Sequence, residues 1–339
     1  MQTNKPHILI SSLLGLTVFA VVFAILFKFT SWQNIITTLL SANIFAVGIY
    51  LLLSLTMSFL RTLRYTILLS ASGTPPSSFH LFLVVLVRRC VVDIIPARLG
   101  EAIYVILLKT KLGIGLGPAT SSFSIAFIMD IIALAPLLLL AAFSFSNNQT
   151  ISSTMVPAVS ATLLFGGLFV IWFLHPASGF IASFCEKRKD RPLAKHIHTF
   201  FTDLNHELIL CNRWKIMLPV FLLSILVRLA KYAALYVLFL GLLNGTGHST
   251  ANLPFGKVLV GLCSSEMAAS LPFSGFLGFG AYEGTWAFVF NSLGFTKSVA
   301  IETGIAHHLI TQFTGILFGL IGLITLLSLR KENHKEHGQ

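Results

Sequence analysis

Arg88, Arg89, Arg98 and Glu101 fall in one apolar stretch of this chain, and Glu266 and Glu283 fall in a second, much later one. A guanidinium presents forked N–H donors that match a phosphate, and a carboxylate holds an ammonium group or exchanges a proton. Each set flanks a helix breaker. Pro96 and Gly100 punctuate the first stretch; Pro272, Gly275, Gly278 and Gly280 punctuate the second. Non-helical backbone carrying charge persists in hydrocarbon where it lines a polar cavity, which is how transporters build a site.

Spacing narrows the roles. Arg89 and Asp93 stand i,i+4, and Arg98 and Glu101 i,i+3, so each pair can neutralise itself on one helical face. Arg88 has no obvious local partner. A helix starting just after Pro96 would aim its free amides at the break and, with arginine, seat a phosphate. The plainer alternative is that these pairs only lock the segment. Glu283 follows three glycines that permit close backbone approach, and Glu266 precedes the break; glycine as a packing surface and a protonated core glutamate are the plain readings there. Arg228 and Lys231 share a face of one span, where they attract an anionic lipid head or pair with Asp130, Glu266 or Glu302. Arg61 and Arg64 are expected to snorkel to the cytoplasmic interface. His307 and His308 are adjacent and point about 100° apart, which is not the i,i+4 spacing of a zinc pair on one helix, so no metal is expected.

The elements that hold these residues follow from hydropathy. With 55% hydrophobic and 10% charged residues and a mean hydropathy of +0.85, the chain reads as an all-α, polytopic integral membrane protein. Full spans are expected at 8–29, 43–69, 118–143, 155–174, 216–243 and 297–329, with broken segments at 79–108 and 255–293. The first stretch lacks an obvious cleavage site and reads as a retained span. Loops 30–42 and 144–154 carry no charge, whereas 179–215 and the tail after 329 are rich in lysine and arginine. Positive residues stay inside, so both termini are expected in the cytoplasm. Segment 79–108 then enters and leaves from the cytoplasmic side, and 255–293 from the other. Both read as re-entrant hairpins, giving two inverted pseudo-repeats, 8–143 and 155–329, in one transmembrane domain. The alternative is that each broken segment is a pair of short or tilted full spans.

The net charge of +11 sits between spans, where contact with acidic lipid explains it better than nucleic acid does. Segment 179–215 interleaves basic and apolar residues as one or two helices lying on the inner leaflet would. Cys90, Cys185, Cys211 and Cys263 show no metal or redox spacing and read as unpaired thiols. No P-loop, GxSxG, HExxH or Rossmann glycine pattern occurs, so no cofactor is expected.

The run from Pro96 through Arg98 to Gly100-Glu101, Asp130 beyond it, and the later Pro272-Phe273-Ser274-Gly275 with Gly278 and Glu283 resemble the membrane domain of the lysylphosphatidylglycerol synthetase/flippase family over about 8–329. Family members often carry an arginine where this chain has Tyr104 and Val105, a Glu-Arg pair where it has Ala126 and Phe127, and a second glycine where it has Phe276. These departures bear on the lipid rather than on the fold. The sequence ends ten residues past 329. The soluble aminoacyl-transferase domain of bifunctional members is therefore not expected in it. The resemblance implies a flippase moving phospholipids, anionic or zwitterionic, or related lipid-linked heads between leaflets of a bacterial cytoplasmic membrane, with a separate lipid-modifying enzyme as a partner. The rival readings are a membrane enzyme acting on lipid-linked phosphate, with His307, His308 or Glu101 as base, and a non-transporting scaffold.

Overall fold

The computed structural model describes residues 17, 20–94, 100–142, 155–186, 198, 200–202, 205–206, 209, 214–246, 253–271, 274 and 276–336. Among these residues no strand occurs. A helical segment at 20–26 leads into ten helices: α1 (Trp32–Leu40), α2 (Ile44–Ala71), α3 (Ser78–Ile94), α4 (Ala102–Leu112), α5 (Leu116–Ala142), α6 (Met155–Glu186), α7 (Trp214–Leu243), α8 (Phe255–Ala269), α9 (Ala281–Ser292) and α10 (Lys297–Glu336).

Local chemistry sets several boundaries. Ser31 Oγ accepts from the Asn34 amide to start α1, and Asn43 Oδ1 accepts from the Phe45 and Ala46 amides to start α2. Gly113, at φ 69°, ends α4 behind Lys109 and Lys111, cations suited to the negative end of the helix dipole. Ile44–Ala71, Leu116–Ala141, Lys215–Leu243 and Lys297–Leu329 are long and apolar enough to cross a bilayer. Leu52, Phe165, Trp172, Phe313 and Ile324 on the long helices point outward, as lipid-facing side chains do. The protein is an all-α integral membrane protein.

Two differences from the expected spans stand out. The helix expected over 155–174 continues through Pro176 to Glu186, so the start of the basic stretch 179–215 is an extension of α6. The uncharged connection 30–42 is not a plain loop but holds α1, whose Ile35 and Thr38 are buried against the bundle.

Both broken segments fold as helical hairpins. In the first, α3 and α4 are 17 and 11 residues long, and in the second α8 and α9 are 15 and 12. At 1.5 Å per residue these helices reach roughly 17–26 Å, less than a hydrocarbon core of about 30 Å. Gly100 lies against the backbone of Val91 and Val92, so the chain doubles back on the end of α3 with no room for a Cβ. The second hairpin closes the same way, with Gly278 against Ala269 near the break and Gly261 against the Phe290 ring at the open end.

Around the hairpins, α2 packs along α7 and α5 along α6. The first hairpin's α3 lies along α10, while α8 of the second lies against α5. Glycine permits the closest of these approaches. Gly241 on α7 faces Ala46 on α2, and Gly315, Gly319 and Gly322 on α10 face Asp93, Cys90 and Leu86 on α3.

Candidate functional site

Arg64, 1% exposed, points from α2 into the bundle. Its guanidinium donates to Asp130 of α5 at 2.5 Å and 3.3 Å, one to each carboxylate oxygen, and to Ser224 Oγ of α7 at 2.8 Å. Arg228 Nε donates to the backbone carbonyl of Asp130 at 3.0 Å. The expectation that Arg64 snorkels to the interface is therefore wrong: the counter-charge lies on a helix distant in sequence, and a fork-on-carboxylate pair holds the arginine in. Arg61, one turn earlier, is partly buried. The Nε groups of Arg61 and Arg64 have no partner among the described residues.

The first hairpin holds a second ion pair. Arg88 Nε and Nη2 both approach Glu101 Oε2 at 2.6 Å, with the guanidinium 5.9 Å from the centres of the Tyr65 and Phe123 rings. Glu101 sits at the N-cap of α4, so the close return at Gly100 delivers its carboxylate to α3. Arg88, which had no obvious partner in the sequence, thus finds one across the hairpin, while the i,i+3 pairing expected between Arg98 and Glu101 falls outside the described residues. Pro96 and Arg98, and with them the helix start expected just after Pro96, lie outside the described residues; α4 itself spans Ala102–Leu112. Arg89 turns elsewhere. Its Nη2 donates to the Tyr50 hydroxyl at 3.4 Å, and its buried Nη1 has no partner among the described residues. Asp93 lies against Gly315 of α10 with Arg89 close by, in the field of Arg89, Lys231, His308 and Arg61.

A third pair joins α7 to α8. Lys231 Nζ is 2.6 Å from Glu266 Oε1, and the Tyr232 hydroxyl donates to Glu266 Oε2 at 3.2 Å. Of the partners open to Arg228 and Lys231 in the sequence, Asp130 and Glu266 are thus taken. Glu302 is instead occupied by Thr30, Asn34 and Ser298.

The second hairpin carries its polar groups at the break. Leu277 adopts φ 57°, ψ 19°, a left-handed conformation that costs a branched side chain about 1–2 kcal/mol, and Gly278 and Gly280 also have positive φ. Glu283, 1% exposed, accepts from the Gly280 amide at 2.7 Å through Oε2 and meets His308 Nδ1 of α10 at 2.5 Å through Oε1. Gln312 Nε2 reaches both His308 Nε2, at 2.8 Å, and the Leu277 carbonyl, at 3.1 Å. Pro272 and Gly275 lie outside the described residues.

The hairpins and spans thereby assemble one electrostatic system. Arg61 is in the field of Arg88, Arg64 and Asp130; Asp130 leads to Arg228; Arg228 and Lys231 act on Glu266; and Asp93 feels Arg61, Lys231 and His308. Arginine and lysine outnumber carboxylates within it. Sequence reasoning gave Arg61, Arg64 and Asp130 no site role and set His308 aside as a weak signal. The available signal was that each is an ionisable group inside an apolar span, a costly placement that itself marks function.

These features define a polytopic helical membrane protein whose spans and hairpins converge on a buried, cation-rich charge cluster. The model of the lysylphosphatidylglycerol synthase TM region matches residues 12–319, and the chain belongs to that family, a family of lipid-related membrane proteins. No curated protein matches the chain.

Proposed function

We propose that this protein moves a phosphate-bearing lipid head group between leaflets, acting as a transporter rather than as an enzyme. The observation that carries this reading is the set of buried guanidinium nitrogens, Arg61 Nε, Arg64 Nε and Arg89 Nη1, without partners among the described residues. A buried donor left unsatisfied costs about 1–3 kcal/mol, more when charged, and a phosphate supplies the acceptor oxygens that remove that cost. Arg88, expected to bind phosphate, is committed to Glu101, so Arg61 and Arg89 take that role. The Lys231–Glu266 pair, with both side chains 23% exposed, is the more accessible place for the amine of a zwitterionic head to exchange with a lysine.

The architecture supports a rocking mechanism. The helices of both hairpins are shorter than the hydrocarbon core, as in re-entrant segments. The packing of α3 on α10 is matched by that of α8 on α5, and α2 meets α7, the pattern of two inverted halves about a pseudo-two-fold axis. The basic segments and both termini face the cytoplasm under this reading.

The test is leaflet exchange in proteoliposomes, comparing anionic and zwitterionic phospholipids with a phosphate-free diacylglycerol. Arg89→Ala is expected to slow phospholipid exchange about tenfold or more, and it is combined with Asp93→Asn so that the carboxylate facing Arg89 is not left uncompensated and the fold is kept. A folded double variant exchanging phospholipid at the wild-type rate would remove the assignment.

A further inference from the structure

Two polar chains meet at the break of the second hairpin, and their donors and acceptors fix one protonation state. The Leu277 carbonyl is an acceptor only, so the Gln312 group 3.1 Å from it is the amide nitrogen, an assignment that leaves Gln312 Oε1 buried and without a partner among the described residues. The same NH2 group directs its other hydrogen at His308 Nε2, 2.8 Å away, which must then be a bare lone pair. The ring proton is therefore on Nδ1, donated to Glu283 Oε1. In this state His308 is neutral, Glu283 is a carboxylate, and Gln312 ties α10 to Leu277, the one non-glycine residue with positive φ among the described residues.

We propose that His308 Nε2 is the binding site of a transported or triggering proton, and that Gln312 converts its protonation into release of the hairpin break. The proton adds to the Nε2 lone pair. The resulting N–H opposes the amide N–H of Gln312, and the amide turns to present Oε1. That rotation satisfies the orphaned oxygen and withdraws the donor from Leu277. The imidazolium remains paired with the Glu283 carboxylate and lies between the Tyr282 ring, stacked 4.2 Å away, and the Phe279 ring at 4.5 Å, both suited to a cation. Loss of the proton from Nε2 restores the Leu277 bond and the strained turn.

The groups that bear on His308 are known from each packed element. They are Glu283 and Tyr282 on α9, Asp93 on α3, His307 on α10, and, through Asp93 and His307, Arg89 on α3, Lys231 on α7, Arg61 on α2 and Glu266 on α8. Helix α1 and residues 20–26 contribute no titratable side chain.

As a source of energy for lipid movement, this inference rests on the transport reading above. The proton site itself does not, and the experiment separates them. Hydrogen–deuterium exchange of the segment 276–284, corrected for intrinsic rate, is measured on the purified full chain at about pH 5.5 and about pH 8. Wild-type protein is expected to exchange about fivefold faster at the lower pH, the loss of one hydrogen bond. Gln312→Met, which leaves the His308–Glu283 pair intact, is expected to exchange fast at both, and His308→Asn to show no pH dependence. Equal protection of the wild-type segment at both pH values, or a pH dependence that survives in His308→Asn or Gln312→Met, overturns the proposal. In proteoliposomes an imposed pH gradient is expected to accelerate phospholipid exchange by the wild type and not by Gln312→Met. Absence of any lipid exchange overturns the transport reading alone, and the deuterium result then decides the proton site.

Discussion

Replacing Asp130 with alanine is expected to destabilise the protein by about 3–5 kcal/mol, because it strands Arg64 as an uncompensated charge in the bundle. Arg64 has nowhere to take that charge. Its side chain is 1% exposed, held between α5 and α7, and its remaining acceptor is the Ser224 hydroxyl. The paired replacement Arg64→Met with Asp130→Leu removes both charges and fills similar volume, so part of the loss should be recovered, the remainder reflecting Arg228, which also faces the Asp130 carboxylate. Thermal unfolding in detergent of the two single variants and the double variant measures the coupling. If Asp130→Ala alone melts with the wild type, Arg64 has another anionic partner and the ion pair at the centre of the site is misassigned. In the exchange assay the double variant is expected to be folded yet impaired, since Arg61 then loses the carboxylate that organises its surroundings.

Gly319→Val should be the most disruptive small change in the hairpin–span interface. A Cβ at Gly319 would occupy the place of the Cys90 Cβ and press on Cys90 Sγ and the Leu86 carbonyl of α3. The obstruction is close to backbone, so no rotamer change relieves it and α3 must move away from α10. Overpacking of this kind typically costs about 1–3 kcal/mol. Here it also shifts Arg88, Arg89 and Asp93, which ride on the same helix, so phospholipid exchange is expected to fall with stability. Gly166→Val is the control, since nothing lies within 4 Å of a Cβ there. Cys90→Gly should suppress Gly319→Val in part by returning the volume. A wild-type melting temperature and exchange rate for Gly319→Val would show that α3 and α10 are not in close contact.

Much of the architecture was legible in the chain. The spans beginning near 43, 118, 216 and 297 are apolar runs too long for anything but a bilayer crossing, and the helices fall there. The breaks were legible too, because Gly100, Gly278 and Gly280 interrupt those runs where no soluble loop would be placed. Helix ends were less legible: the span expected to stop at 174 runs on past Pro176 to Glu186.

Which charges meet was decided by the tertiary structure. Helical spacing is a statement about neighbours on one element, and it left Arg88 without a partner and suggested that Arg64 reaches for water. In the folded chain Glu101 meets Arg88 across the hairpin, and Arg64 meets Asp130 from a different span. Low dielectric makes an ionised group seek the nearest opposite charge in space, whatever its distance along the chain. Sequence by itself therefore determined that this is a membrane protein with polar breaks and buried cations; only packing decided that Asp130 and His308 belong with them, because contact between spans has no period in the sequence.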